Sequence, residues 1–151
     1  MIPDSVKEIG GLAFCKLGLT SIMIPYGVIE IGYSAFGRCT RLSSISIPNT
    51  VAIIGKSAFE ECSELTSVSI PDNVKRIEER VFAGCSKLRS VEIPNGVAEI
   101  GECAFIGCSS LTRIVIPESV ISIGISAFKN CVGSRVSPFP IVLLKSVREL
   151  L

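Results

Sequence analysis

Five of the seven cysteines recur at intervals of 23 residues, which makes them the first candidates for chemistry. The regular set is Cys39, Cys62, Cys85, Cys108 and Cys131, and the other two are Cys15 and Cys103. Stacked at this period, neighbouring thiols would lie about 5 Å apart but point in parallel, which does not suit a disulfide. The sequence has no His, no Cys-x-x-Cys pair and an odd number of cysteines. Reduced core cysteines are therefore favoured over a disulfide, and a disulfide over a metal site. The two cysteines outside the set are expected to be more exposed.

Carboxylates are the next candidates, and their neighbours argue against catalysis. Several lie close to basic residues in the sequence, namely Glu60, Glu61, Glu78 and Glu79 beside Lys56, Arg76, Arg80 and Lys87. This pattern is typical of a solvated face of mixed charge. Without His, the usual base for a Ser or Cys nucleophile is missing. The glycines do not cluster into a phosphate-binding loop. We therefore predict no enzyme activity and no metal or other cofactor.

The cysteines recur because most of the sequence repeats. The dipeptide Ile-Pro begins at Ile2, Ile24, Ile47, Ile70, Ile93 and Ile116, at a spacing of 22 once and then 23. The template is Ile-Pro-x-x-Val-x-x-Ile-Gly-x-x-Ala-Phe-x-x-Cys-x-x-Leu-x-x-Ile-x, with Phe in all six copies. One copy has too few apolar residues to close a core, so the copies must stack and bury their apolar side chains against one another.

Each copy predicts the same succession of elements. Apolar and polar residues alternate in the segment from Leu65 to Ile70, as in a half-buried strand. Its equivalents should form a parallel sheet with one strand per copy, and the Pro that follows should end each strand. Val-x-x-Ile predicts a second short strand or an extended edge, and Ser-Ala-Phe-x-x-Cys predicts a helical turn. Six coils at about 4.8 Å each give a rod about 30 Å long.

One repeat position can be compared across the six copies of the template. The residue after the second Ile of the template is Gly in five copies and Glu78 in the fourth. A position that required a positive φ would accept Glu only at an energetic cost. An exposed turn where small size helps is therefore favoured over an obligatory left-handed conformation.

The strand alternation also predicts a candidate binding surface. The outward positions are Ser21, Met23, Ser44, Ser46, Ser67, Ser69, Ser90, Glu92, Arg113 and Val115, and the adjoining rim after each Pro holds Tyr26, Asn49, Asp72, Asn95 and Glu118. Hydroxyl and amide groups on a rigid sheet could hydrogen-bond a glycan or a peptide. Binding hot spots favour Tyr and Arg, which Tyr26 and Arg113 supply. The alternative is that the serines only keep this face soluble.

Composition excludes several classes of function. Hydrophobic residues make up 48% of the 151 and charged residues 19%, as in a folded domain. A net charge of +1 gives no basis for nucleic-acid binding. No apolar stretch approaches the roughly 20 residues that a membrane-spanning helix needs. The first residues, Met1 to Asp4, lack the pattern of a signal peptide and fall inside the repeat, so we expect the chain to be part of a longer protein.

The repeat pattern ends near Cys131, which predicts a boundary between a repeat region at 1–131 and a separate segment at 132–151. Ser134 and Ser137 stand where the template has Leu and Ile. Pro140 could open a short helix whose apolar residues recur at helical spacing up to Leu151. We predict that this segment is a helical cap. An apolar terminus that binds a partner chain and a disordered tail are the alternatives.

The template closely resembles the BspA-like, or Treponema-type, class of leucine-rich repeats, from residue 2 to about residue 131. The resemblance implies a leucine-rich repeat solenoid of about six coils of 23 residues, right-handed and gently curved, an α/β repeat of short parallel strands with helical turns. Proteins of this class are cell-surface or secreted products of host-associated bacteria and some protozoa. They are linked to adhesion to host proteins and to other microbes. The resemblance transfers no catalytic residues.

Three hypotheses about function follow from this sequence. The first is a binding or adhesion module for a protein or glycan on a host or microbial surface. The second is a structural spacer within a larger surface protein. The third is self-association through open coil edges, because an uncapped first coil leaves backbone groups unpaired.

Overall fold

The computed structural model describes residues 1–131, which wind into a solenoid of parallel strands. The predicted cap at 132–151 lies outside the described residues. Each turn of the solenoid, called a layer below, runs from a main strand through a second strand to a turn segment. The first layer begins at its second strand. The observed solenoid is the architecture that the repeat predicts.

Two sets of strands form two sides of the solenoid. The main strands are β2 (Ser21–Met23), β4 (Ser44–Ser46), β6 (Ser67–Ser69), β8 (Ser90–Glu92) and β10 (Arg113–Val115), and the second strands are β1 (Glu8–Ile9), β3 (Glu30–Ile31), β5 (Ile53–Ile54), β7 (Arg76–Ile77), β9 (Glu99–Ile100) and β11 (Ser122–Ile123). Every pairing is parallel and joins equivalent repeat positions, such as Val68 with Val91. The predicted second strand is thus confirmed.

Both sides are interrupted at the same step of the stack. The main strands form the sheets β2–β4 and β6–β8–β10, and the second strands form β1–β3–β5 and β7–β9–β11. The third layer holds β4 and β5, and the fourth holds β6 and β7. The solenoid therefore lacks regular strand pairing between its third and fourth layers on both strand sides.

The prediction of helical turns is wrong, because residues 1–131 contain no helix. Each turn segment has two residues with positive φ, as at Ser34, where φ is 47°. The N–H of Ala35 donates to the carbonyl of Gly32 within the layer at 3.2 Å, whereas that of Phe36 donates to Ala58 of the next layer at 2.8 Å. A helix would satisfy successive N–H groups within its own segment. In the turn segments, successive N–H groups instead donate alternately within their own layer and to the next layer. The second kind adds a third ladder of hydrogen bonds between layers.

The core is a column of repeated apolar side chains. Successive phenylalanine rings stack with centroids 5.2 to 5.6 Å apart and planes within 15° of parallel. Phe14 in the first layer is half-buried, and the other five rings are at most 1% exposed. The Leu, Val and Ile positions of the template are buried around them. Each layer thus depends on its neighbours for burial, as the short repeat requires.

Glycine follows the second strand in every layer but the fourth, and close packing between layers explains it. A Cβ atom on Gly55 would lie 2.8 Å from the carbonyl carbon of Gly32 and from the nitrogen of Tyr33. On Gly101 it would lie 2.6 Å from the nitrogen of Glu79. Neither glycine has a positive φ. Small size is thus the correct explanation. The expected exposure holds only in the first layer, at Gly10, because Gly32 is buried and the other glycines of this position are partly buried.

Candidate binding surface

The main strands bring the predicted surface residues together on one side, called the main-strand face. The side chains that flank the inward residue of each strand are exposed, and they are Ser21, Met23, Ser44, Ser46, Ser67, Ser69, Ser90, Glu92 and Val115. Arg113 lies in β10 opposite Ser90 in the strand register. The predicted rim is also exposed, at Tyr26, Asn49, Asp72, Asn95 and Glu118. The alternation therefore placed these side chains correctly, and their role in binding stays a prediction.

A shallow neutral groove crosses the ends of β2 and β4. It has a volume of about 230 Å³, and its lining includes Met23, Tyr26, Ser46, Pro48 and Asn49. Met23 and Tyr26 are each 76% exposed, so two large side chains with apolar surface stand free in solvent. The groove thus combines aromatic and apolar surface with a hydroxyl and an amide, and none of its lining residues is charged.

A second, acidic groove crosses the ends of β6 and β8, two layers further along the stack. Its volume is about 200 Å³, and Ser69, Asp72, Glu92 and Asn95 are among its lining residues. No ion pair joins either carboxylate to a side chain that the structure describes. Lys75 donates from Nζ to the backbone carbonyl of Asp72 at 3.3 Å. The main-strand face therefore changes from neutral to acidic along the solenoid axis.

The charges of the turn side pair with one another between layers. The pairs that join adjacent turn segments are Arg38–Glu61 at 3.1 Å, Lys56–Glu79 at 3.1 Å, Arg80–Glu60 at 2.6 Å and Lys87–Glu64 at 2.7 Å. This arrangement is the mixed-charge face that the sequence predicts. These carboxylates are thus engaged by basic side chains of the adjacent layer.

The cysteines of the regular set hold adjacent layers together. Cys62 donates from Sγ to the carbonyl of Phe36 at 3.2 Å, and Cys85 donates to that of Phe59 at 3.2 Å. Burial raises the pKa of Cys62 to about 12, which leaves a poor nucleophile at neutral pH. All seven thiols are free. Cys15 and Cys103 are half-buried, so they are more accessible than the regular set.

Two features of the surface were missed in the sequence. On the second-strand side, Ile29, Tyr33 and Ile53 are each more than half exposed. Their signal was the occurrence of large apolar residues at positions where other copies have Lys, Arg or Glu. At the start of the stack, an open apolar depression of about 630 Å³ is lined by residues that include Ile2 and Phe14. Besides the main-strand face, the described surface thus has exposed apolar area on the second-strand side and at the start of the stack.

Metal binding needs a cluster of ligating side chains, and a membrane span needs a long apolar helix. Residues 1–131 hold no group of three or more His, Cys, Asp or Glu side chains that could bind a metal ion. Within the same range, no helix has the length and hydrophobicity needed to cross a bilayer.

Solved structures of bacterial repeat proteins are similar to this chain. A leucine-rich repeat protein from Bacteroides ovatus is 34% identical, with a TM-score of 0.70 over 89% of this chain and 41% of its own. The leucine-rich repeat protein of T. pallidum is 30% identical, with a TM-score of 0.78 over 96% of this chain and 77% of its own. A leucine-rich cell surface protein from Faecalibacterium prausnitzii is 28% identical, with a TM-score of 0.62 over 98% of this chain and 55% of its own. The chain thus spans less than half of the B. ovatus protein.

The family comparison covers nearly all of the repeat region. No curated protein is significantly similar to the chain. Residues 7–135 match six copies of the BspA type leucine-rich repeat region. The match agrees with the six stacked phenylalanines and with the period of the strands. The chain therefore belongs to the BspA-type leucine-rich repeat family.

Proposed function

We propose that the chain is a non-catalytic binding module of a bacterial or protozoan surface protein, and that its main-strand face recognises a protein or glycan. The observation that carries this proposal is the contrast between the turn side and the main-strand face of the solenoid. Acidic and basic side chains of the turn side pair with one another, whereas the main-strand face exposes hydroxyls, carboxylates and apolar side chains. Groups that are free of internal partners are available to a ligand.

The two grooves indicate the chemistry of the partner. Tyr and Met with a neighbouring hydroxyl and amide suit an apolar anchor or the face of a sugar ring. Asp72 and Glu92 suit a cationic group in the same ligand. Adjacent strands are about 4.8 Å apart, so the two grooves lie roughly 10 Å apart along the axis. An extended ligand segment of about three residues covers that distance.

Surface display is part of the same proposal. One similar protein, from Faecalibacterium prausnitzii, is described as a cell surface protein. We propose that this chain, too, is displayed on the cell surface or secreted.

The test is a comparison of two triple variants. Ser44→Arg, Ser67→Arg and Ser90→Arg together place three bulky cations along the centre of the main-strand face. The matched control, Ile29→Arg, Ala52→Arg and Ile121→Arg, adds the same charge on the second-strand side, where all three positions are exposed. Wild type and variants are applied to a glycan array and to a panel of immobilised extracellular-matrix proteins. We expect binding that is lost only in the main-strand variant. Binding that survives in that variant places the site elsewhere.

Self-association is a second candidate, and the open apolar depression of the first layer favours it. Light scattering over a range of protein concentrations tests it. A mass that rises with concentration and falls back when Ile2→Glu is introduced supports association at this end. A constant monomer mass rejects it. If the array, the protein panel and light scattering are all negative, the results favour a structural spacer.

A further inference from the structure

One step of the stack differs from all the others on the second-strand side. Where layers pair regularly, the N–H of Ala98 donates to the carbonyl of Lys75 at 2.9 Å, and Gly101 donates to Ile77 at 2.7 Å. The same two bonds recur between the other paired layers. Between the third and fourth layers the described residues form neither of them, and β5 does not pair with β7. The N–H groups of Lys75 and Glu78 thus lack the layer contacts that their equivalents have.

Glu78 is the physical cause of this opening. It occupies the repeat position where the neighbouring layers have Gly55 and Gly101. A Cβ atom at that position on either glycine would lie within 2.8 Å of backbone atoms in the preceding layer. Atoms of the backbone cannot move aside like the end of a flexible side chain, so a residue with a Cβ must hold the two layers apart. The lost hydrogen bonds follow from that separation.

The main-strand side is less regularly bonded at the same step, although β4 and β6 lie side by side. β4 and β6 do not pair, although β2–β4 and β6–β8 do. Just before these strands, the N–H of Thr66 reaches the carbonyl of Ser43 at 3.4 Å, whereas Ser43 donates to Thr20 at 2.9 Å in the preceding step. At the corner between the two strand sides, Asn73 donates from its side chain to the carbonyl of Asn49 at 2.6 Å. On the main-strand side the two layers therefore stay side by side without regular pairing, and the opening itself lies on the second-strand side.

The turn side stays closed at this step. Ser57 donates its N–H to the carbonyl of Glu79 at 2.9 Å, and Glu61 donates to Ala83 at 2.7 Å. The ring centroids of Phe59 and the next phenylalanine are 5.6 Å apart, close to the 5.2 to 5.4 Å of the other four pairs, so the aromatic column is continuous here as well. Layers that touch on one side and separate on the other form a wedge.

Ion pairs concentrate on the closed side of the wedge. Three of them join the third and fourth layers, namely Lys56–Glu79, Arg80–Glu60 and Lys87–Glu64. Arg80 donates from Nε and Nη2 to the same oxygen of Glu60, at 3.0 and 2.6 Å. Burial raises the pKa of Glu60, but hydrogen bonds from Arg80 and Ser57 outweigh it and hold the pKa below its ordinary value. The charged form of the pair is thus favoured at neutral pH.

We propose that the step between the third and fourth layers is a built-in joint of the solenoid. The turn side, with its continuous hydrogen bonds and three ion pairs, is the hinge. The second-strand side opens and closes, because Glu78 prevents its regular pairing, and the main strands, which lack regular pairing at this step, follow the movement. The neutral groove lies before this step and the acidic groove after it, so the movement changes the angle between the two grooves. The joint is a property of the stack and does not depend on the identity of a ligand.

The test uses two substitutions at one position. Glu78→Gly removes the Cβ and permits the missing pairing, whereas Glu78→Ala removes the carboxylate and keeps the Cβ. Backbone hydrogen exchange is measured by NMR at Lys75 and at residue 78, with Ala98 and Gly101 as references in the same sample. In wild type and in Glu78→Ala we expect Lys75 to exchange about 100-fold faster than Ala98. In Glu78→Gly we expect the two rates to agree within about threefold.

Residual dipolar couplings test whether the opening is mobile. For wild type we expect two alignment tensors of different magnitude, one for the layers before the joint and one for those after it. For Glu78→Gly we expect one tensor for both. Equal exchange of Lys75 and Ala98 in wild type overturns the proposal, and so does a single tensor in wild type. Slowed exchange in Glu78→Ala as well as in Glu78→Gly shows that the carboxylate, and not the Cβ, is the cause, which also overturns it.

Discussion

The glycine that follows each second strand makes a sharp prediction, because the same substitution should have opposite effects in two layers. A Cβ atom on Gly55 would lie 2.8 Å from two backbone atoms of the preceding layer. A Cβ atom on Gly10, at the same repeat position, has nothing within 4 Å. Neither glycine is in the left-handed region. Gly55→Ala and Gly10→Ala therefore differ only in whether a preceding layer packs against the substituted residue.

The size of the effect follows from that contact. To restore an ordinary separation, the third layer must move by roughly half an ångström, which overpacking data put at about 1 to 3 kcal/mol. The hydrogen bond from Gly55 to the carbonyl of Ile31, 2.7 Å long, is weakened by the same movement, at a cost of about 1 kcal/mol. Alanine lowers the entropy of the unfolded chain and recovers about 0.4 to 1 kcal/mol. We expect a net loss of roughly 1 to 3 kcal/mol, by these principles, in the free energy of unfolding of Gly55→Ala.

Urea unfolding followed by far-UV circular dichroism measures the difference, and thermal unfolding checks it. For a chain of this size, Gly55→Ala should lower Tm by roughly 3 to 10 °C. Gly10→Ala should leave the stability unchanged or raise it by up to about 1 kcal/mol. The m value of each variant must equal that of wild type for the comparison to hold. Equal losses for the two variants, or no loss for Gly55→Ala, would refute the explanation by close approach of layers.

Three further predictions address the core, the thiols and the charges. Phe82→Ala should lower the free energy of unfolding by about 3 to 5 kcal/mol, and Phe14→Ala by less, because Phe14 is half-buried and stacks on one neighbour; urea unfolding compares them. Burial raises the pKa of Cys62 from 9.0 to about 12, so the folded state retains a proton that the unfolded chain loses. Stability should therefore be intact below pH 9 and decline from there toward pH 12, which unfolding at a series of pH values measures. Arg80→Met should cost about 1 kcal/mol and raise the pKa of Glu60, measured by NMR titration; an unchanged pKa contradicts the pairing.

The parallel stack and its exposed face could be predicted because both depend on periodicity alone. Equivalent residues 23 apart must lie above one another in any solenoid, and this places Ser67 opposite Ser90 whatever the shape of the coil. Alternation within each main strand then decides which side chains point outward. The grooves could not be predicted this way. Their depth depends on how far Tyr26 and the rim residues project beyond the strands, which is a matter of three-dimensional packing.

The turn segment was predicted wrongly because two conformations share its pattern. Ala, Phe and Cys at positions such as 35, 36 and 39 are buried, as they would be on one face of a helical turn. The structure buries the same residues with one left-handed residue before them, Ser34, and one among them, Arg38. A weak signal was present in the sequence. Gly84 and Gly107 occupy the position of Arg38 in later layers, and both have positive φ. Within residues 1–131, ten non-glycine residues also have positive φ, and they obscured that signal.

The joint links the two halves of the candidate surface and separates the two proposals experimentally. A ligand that occupies only the neutral groove contacts residues of the second and third layers, and a change at Glu78 should not alter its affinity. A ligand that spans both grooves must match the angle between them, so closing the joint with Glu78→Gly should change its affinity, and Glu78→Ala should not. Unequal effects of these two variants on a bound ligand would show that it crosses the joint. Equal effects of the two variants would show that the ligand binds on one side of the joint only. The hydrogen-exchange measurement would still test the joint independently of the ligand.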